Sequence, residues 1–248
     1  MAEPMGLLDH FHPPLFPVRR WESLHSYWAS ELGGWLNANV LPPNYFAEVQ
    51  LHVGSRFEVD IGAFEWDDRD SIEAQGGDGG TALAVAARTW VAPAPTSRLP
   101  AIFPDSMEVL VYANEGGPIL AAAIELVSPG NKDRPASRKA FASKCASYLQ
   151  QGVGLVIVDI VTDHHANLHD ELVALLSGGG SGGEGSGLYT SAYRPVRREG
   201  DEHHDAWIVE LAVGRSLPTM PLALRRGPTV PLDLGTPYRD ACGRARIR

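Results

Sequence analysis

The chain has 248 residues, 44% of them apolar, enough to bury a sizeable core as one large domain or two small ones. Its formal charge of −9 argues against holding nucleic acid by bulk electrostatics, and no run approaches the roughly eighteen consecutive apolar residues of a membrane span. The two cysteines, Cys145 and Cys242, exclude a disulfide framework and a four-cysteine zinc site, and no secretion signal is readable, so a reduced, cytoplasmic setting is expected.

We expect a single domain over 1–248, with 1–18 as an N-terminal arm. In "RRWESLHSYWASELGGWLNA" (19–38), Trp21, Leu24, Trp28, Leu32 and Trp35 recur at spacings of three and four, which predicts an amphipathic helix. "YFAEVQLHV" and "RFEVDIGAFEW", joined by "GS", predict a β-hairpin, and the glycine-rich stretch 67–80 a flexible loop. "ALAVAARTWV", "MEVLVYAN" and "PILAAAIELV" read as further strands. "DRPASRKAFASKCASYLQQG" then predicts a helix, with Asp133 as N-cap, Pro135 in the first turn and Gly152 ending it. "VGLVIVDIV" reads as a fully buried strand, and "NLHDELVALL" as a short helix capped by Asn167. Residues 177–187 form a second flexible loop whose G-x-G-x-x-G lacks the flanking strand and helix of a nucleotide site. "DAWIVELAV" is a last strand, and "LPTMPLALRRGPTVPLDL" an extended, proline-rich segment wrapping the core. The order implies an α/β fold with a mixed central sheet flanked by helices.

Two acids stand late in apolar strands: Asp60 in "FEVDIGAF" and Glu125 in "AAAIELV". A buried carboxylate costs several kcal/mol unless it is paired or bound to a metal. Two brought together on neighbouring strands would repel unless a divalent cation, Mg²⁺ or Mn²⁺, sat between them. Taken singly, each is also compatible with a solvent-facing strand end, and Glu48, a possible third carboxylate, reads first as a surface acid. Lys132, Arg134, Arg138, Lys139 and Lys144 concentrate positive charge just after Glu125.

With Asp60, then Glu125, a helix and a further buried strand, the chain resembles the PD-(D/E)XK superfamily of restriction-endonuclease-like proteins. The likeness is closest to bacterial families of unknown function with an E-V-L-S-P motif and a lysine-bearing helix. Here the segments are "ELVSPGNK", "KCASYLQQGV", "VDIVTDHHANLHDEL" and "LPTMPLALRRG", and the likeness runs over most of 20–248. The resemblance implies a restriction-endonuclease-like fold in which Asp60 and Glu125 hold Mg²⁺ or Mn²⁺, and a nuclease acting on nucleic acid. It departs at two positions: Val127 stands where the family has its strand lysine, and Val59 rather than proline precedes Asp60. On a helical wheel of about 100° per residue, Lys144 flanks the stripe of Phe141, Cys145 and Tyr148, whereas Lys139 lies opposite. Lys144 is therefore the expected substitute, with Lys132 second. The alternative is a catalytically silent module that keeps the fold as a binding surface.

Other constellations are weaker. His165 and His169 are four apart, but Asn167 as cap puts His165 outside the helix, which disfavours a zinc pair. His203 and His204 read as a solvated turn, Cys145 as packing, and no G-x-S-x-G elbow joins an expected strand to an expected helix.

Overall fold

The stripe of Trp21, Leu24, Trp28 and Leu32 forms the buried face of helix α1 (Trp21–Asn39). The computed structural model describes residues 5–52, 106–114, 118–178, 187–198 and 201–247, all within one compact unit. The expected strands in "RFEVDIGAFEW" and "ALAVAARTWV", Asp60 itself and loop 67–80 lie outside the described residues, as does most of 177–187.

Among the described residues, six strands form one sheet in sequence order: β1 (Tyr45–His52), β2 (Ser106–Asn114), β3 (Pro118–Leu126), β4 (Gly154–Asp159), β5 (Leu188–Arg198) and β6 (Asp201–Leu211). Every neighbouring pair is antiparallel except β3 and β4. That parallel pair needs a crossover, supplied by the short α2 (Pro129–Lys132) and by α3 (Pro135–Gln150). The expected α/β class with a mixed central sheet is thus present.

Helix α3 starts with Pro135 at its first position, but its N-cap is Arg134. Asp133, the expected cap, instead closes α2. The turn before it is fixed by Asn131, whose Oδ1 accepts from the Ser128 N–H at 2.8 Å and from its hydroxyl at 2.9 Å. Helix α4 (Leu168–Leu176) is capped as the sequence implies, Asn167 accepting from the amides of His169 and Asp170.

The segment expected to wrap the core as an extended strap is more ordered than that. It folds into a two-stranded hairpin, β7 (Thr219–Ala223) with β8 (Thr229–Asp233), followed by helix α5 (Gly235–Arg244). Its four prolines, Pro218, Pro221, Pro228 and Pro231, obscured the pattern. Pro221 and Pro231 face each other in the ladder of an isolated pair, where a missing N–H is tolerated at an edge.

Helices α1 and α5 pack together on one face of the sheet. His25 of α1 reaches the Leu126 carbonyl at 3.0 Å, and Gly33 lies over Val49 and Val109. Helices α3 and α4 cover the other face, where Lys144 and Tyr148 meet β2 and β3 and His169 meets Tyr189 and Tyr193. The register aligns Gln50, Glu108, Glu125, Ile157, Ser191 and Ile208 in one row across all six strands. Paired positions share a face, so this row lies on the side covered by α3.

Candidate functional site

Glu125 is the expected buried acid, 1% exposed. Its cross-strand partner on β2 is Glu108, also 1% exposed, in an apolar strand that the sequence reading recognised without singling out the acid. The rule that drew attention to Glu125, a lone carboxylate inside an apolar run, applies equally to Glu108.

Both carboxylates converge on α3. The Lys144 ammonium donates to Glu125 Oε2 at 2.9 Å and stands 3.5 Å from Glu108 Oε2. Glu125 Oε1 is 2.8 Å from the same nitrogen but outside hydrogen-bonding geometry, so this buried oxygen has no hydrogen bond. The Tyr148 hydroxyl donates to Glu108 Oε2 at 2.8 Å. Lys144 keeps 29% of its side chain exposed, which opens the cluster to solvent from the helix side. Lys139 is exposed, as the helical wheel implies.

Burial drives the Glu125 carboxyl well above its usual range; Lys144 opposes this and the adjacent Glu108 adds to it. Lys144 is also desolvated, yet the Glu125 and Glu108 carboxylates outweigh that effect and hold its proton more tightly than usual. Two carboxyl groups facing one ammonium favour a state in which they share a proton and carry one net negative charge. Tyr148 is pushed up by burial and by both glutamates, so it remains a hydroxyl donor.

Lys132, the second lysine candidate, is engaged elsewhere. It donates to Asp159 Oδ2 at 2.9 Å and lies 3.5 Å from the Val161 carbonyl, with both side chains of the pair at 2% exposure or less. Asp159 is two residues beyond Ile157, the register partner of Glu125, so this ion pair lies further along the same face. Its carboxyl is pushed up to about 6 by burial, which outweighs the opposing Lys132 charge. Asp159 is a second acid that the rule of the lone carboxylate would have found, in "VGLVIVDIV".

Among the other sequence candidates, Glu48 is exposed, opposite Leu110 on β2. His165 is exposed ahead of α4, whereas the His169 Nδ1 bonds the Tyr193 hydroxyl, so the two histidines do not form a shared site. His203 lies 3.3 Å from Asp205 within β6, in a strand and not in the expected turn. Cys145 is buried, and burial drives its thiol well above the ordinary range, consistent with packing. Among the described residues no three histidine, cysteine or acidic side chains cluster as a metal site, and no helix is long and apolar enough to cross a membrane.

Compared with known proteins, the chain matches no family model, no curated protein and no solved structure.

Proposed function

We propose that the chain is a metal-dependent phosphodiesterase of nuclease type, with a restriction-endonuclease-like fold and a nucleic acid as substrate. The observation that carries this reading is the direct opposition of Glu108 and Glu125 with Lys144 between them and solvent. The order of an antiparallel β1–β2–β3 meander, a crossover through α3 and a parallel β4 supports the fold assignment. The two free, buried cysteines accord with a reducing, cytoplasmic setting.

The donor set suits a hard divalent cation such as Mg²⁺ or Mn²⁺: two carboxylates, one with a buried oxygen that has no hydrogen bond. Asp60 remains the proposed further acid. A bound ion would supply Lewis acidity toward a phosphate oxygen and lower the pKa of a coordinated water. The chain's own groups have separable roles. Tyr148 fixes the Glu108 carboxylate, and Glu125 holds the Lys144 ammonium at the mouth of the cluster. There Lys144 can neutralise charge developing on a phosphate, the role that the buried Val127 cannot fill.

The test is calorimetric titration of Mg²⁺ and Mn²⁺ into wild type, Glu108→Gln and Glu125→Gln, followed by cleavage assays on DNA and RNA. Expected are saturable metal binding in wild type only and chelator-sensitive cleavage, reduced at least about 100-fold in Lys144→Ala. Val127 in the lysine position favours a second reading, a catalytically silent binding module. Absence of both metal binding and cleavage in wild type would replace the first reading with the second.

A further inference from the structure

On the opposite face of the sheet, the turn between β7 and β8 carries two adjacent arginines, Arg225 and Arg226, beside a cavity of about 410 Å³. The Gly227 amide donates to the Leu224 carbonyl at 2.9 Å, which makes Arg226 the third residue of a four-residue turn. Its φ of 56° is left-handed, a conformation that such turns ordinarily reserve for glycine or asparagine. The backbone is nevertheless tightly held: Arg225 N–H donates to the Ala121 carbonyl of β3 at 2.9 Å, and its carbonyl accepts from the Tyr45 hydroxyl of β1 at 3.3 Å. A non-glycine residue kept in this conformation by such anchoring is a feature concentrated at ligand sites.

The rest of the cavity suits an anion. Its wall includes Gly152, where no side chain narrows the approach, together with Thr229 and Arg194. Arg194 is already paired with Asp205 and lies over the Trp207 ring at 5.5 Å, so its guanidinium is engaged on β6. Arg225 and Arg226 have no ion-pair partner among the described residues, in a chain whose net charge is −9. Helix α3 ends nearby, but the amides of Gln151, Gly152 and Val153 occupy carbonyls of its last turn, weakening the negative pole that would repel an anion.

We propose that this cavity is a binding site for a small organic phosphate monoester, its phosphate held by Arg225 and Arg226. Two guanidinium forks on one fixed turn match a dianion with three acceptor oxygens better than a single carboxylate. The volume lies within the range of small-molecule sites and accommodates a sugar or nucleoside attached to the phosphate. The cavity is on the face of the sheet opposite the glutamate pair, so the proposal stands apart from the nuclease reading.

The experiment is calorimetric titration of the full chain with ribose 5-phosphate, adenosine monophosphate and inorganic phosphate. At least one ester should bind saturably and more tightly than inorganic phosphate, with affinity falling as salt rises. Arg225→Gln and Arg226→Gln should each weaken it by about tenfold or more, while Arg239→Gln on α5 leaves it unchanged. Arg226→Gly is the decisive variant: relief of the left-handed strain should raise the melting temperature without ligand while ester affinity falls, which separates lost binding from lost folding. Neither ester binding, inorganic phosphate binding as tightly as both, or arginine variants binding like wild type would each overturn the proposal.

Discussion

Glu108 and Glu125 occupy directly opposed positions on β2 and β3, and one ammonium, Lys144, serves both, at 3.5 Å and 2.9 Å. Removing one acid and removing the base should therefore have opposite effects. Glu108→Gln relieves repulsion, leaves one full charge for Lys144, and keeps an amide oxygen for the Tyr148 hydroxyl. Metal-free Glu108→Gln should melt at or above the wild-type temperature.

Lys144→Met should be costly near neutral pH, because it leaves two buried carboxyl groups without their cation, a loss of about 3 kcal/mol or more. The cost should depend on pH with a definite sign. The Glu125 carboxyl is already raised above its unfolded value, and loss of Lys144 raises it further. A raised folded pKa gives stability that is present in acid and lost as pH rises, so the variant should approach wild type below about pH 5. Denaturant unfolding of both proteins across pH 4.5–8 measures this directly.

The Lys132–Asp159 pair is almost completely buried. Lys132→Met or Asp159→Leu alone should each cost about 3–5 kcal/mol by leaving one charge unpaired. The double variant should recover most of that loss, since an apolar pair of similar volume replaces both charges. A double-mutant cycle in urea gives the coupling energy.

His10 is buried beside Tyr238, its Nε2 2.6 Å from the hydroxyl, and burial pushes its pKa down to about 4. A depressed folded value means that its contribution is complete above the usual pKa of about 6.5 and is lost as pH falls toward about 4. His10→Gln should therefore be less stable than wild type at pH 8, with the gap narrowing by up to about 3 kcal/mol as pH approaches 4.5. Paired melts at the two pH values test the sign.

Gly154 opens β4 where the hairpin crosses the sheet, and a Cβ there would run into the Ala223 carbonyl. Both sides of that contact are backbone, so neither can rotate away. Gly154→Ala should cost about 2–3 kcal/mol, visible as a lower urea midpoint with little change in slope.

Periodicity made α1, α3 and β4 legible, because each buries a stripe or run set by its own residues. The carboxylate in "AAAIELV" and the lysine on the inner flank of α3 were legible for the same reason, and the structure places Lys144 against Glu125. Glu108 was not found, because its importance lies in register: only the pairing of β2 with β3 sets it opposite Glu125. Lys132 shows the converse. Its position seven residues after Glu125 made it a candidate, but the crossover turns it toward Asp159, a contact that sequence spacing does not encode. The β7–β8 hairpin and α5 were hidden by prolines and by helix residues whose burial depends on α1.

The face formed by α1 and α5 is closed by segments from opposite ends of the sequence. Leu7 exchanges hydrogen bonds with Arg215 and Gly214 at 2.7 Å each, Leu8 N–H donates to the Tyr238 hydroxyl at 2.9 Å, and Trp28 meets the Tyr238 ring edge-on at 5.2 Å. During synthesis, therefore, Trp28 waits for Tyr238, more than two hundred residues later, to emerge before it acquires this part of its cover. Contacts this distant in sequence delay assembly and lengthen the interval in which apolar surface is open to aggregation or chaperone capture. A ribosome-bound chain arrested at Leu234 should keep Trp28 accessible to quencher, and emergence of α5 should bury it.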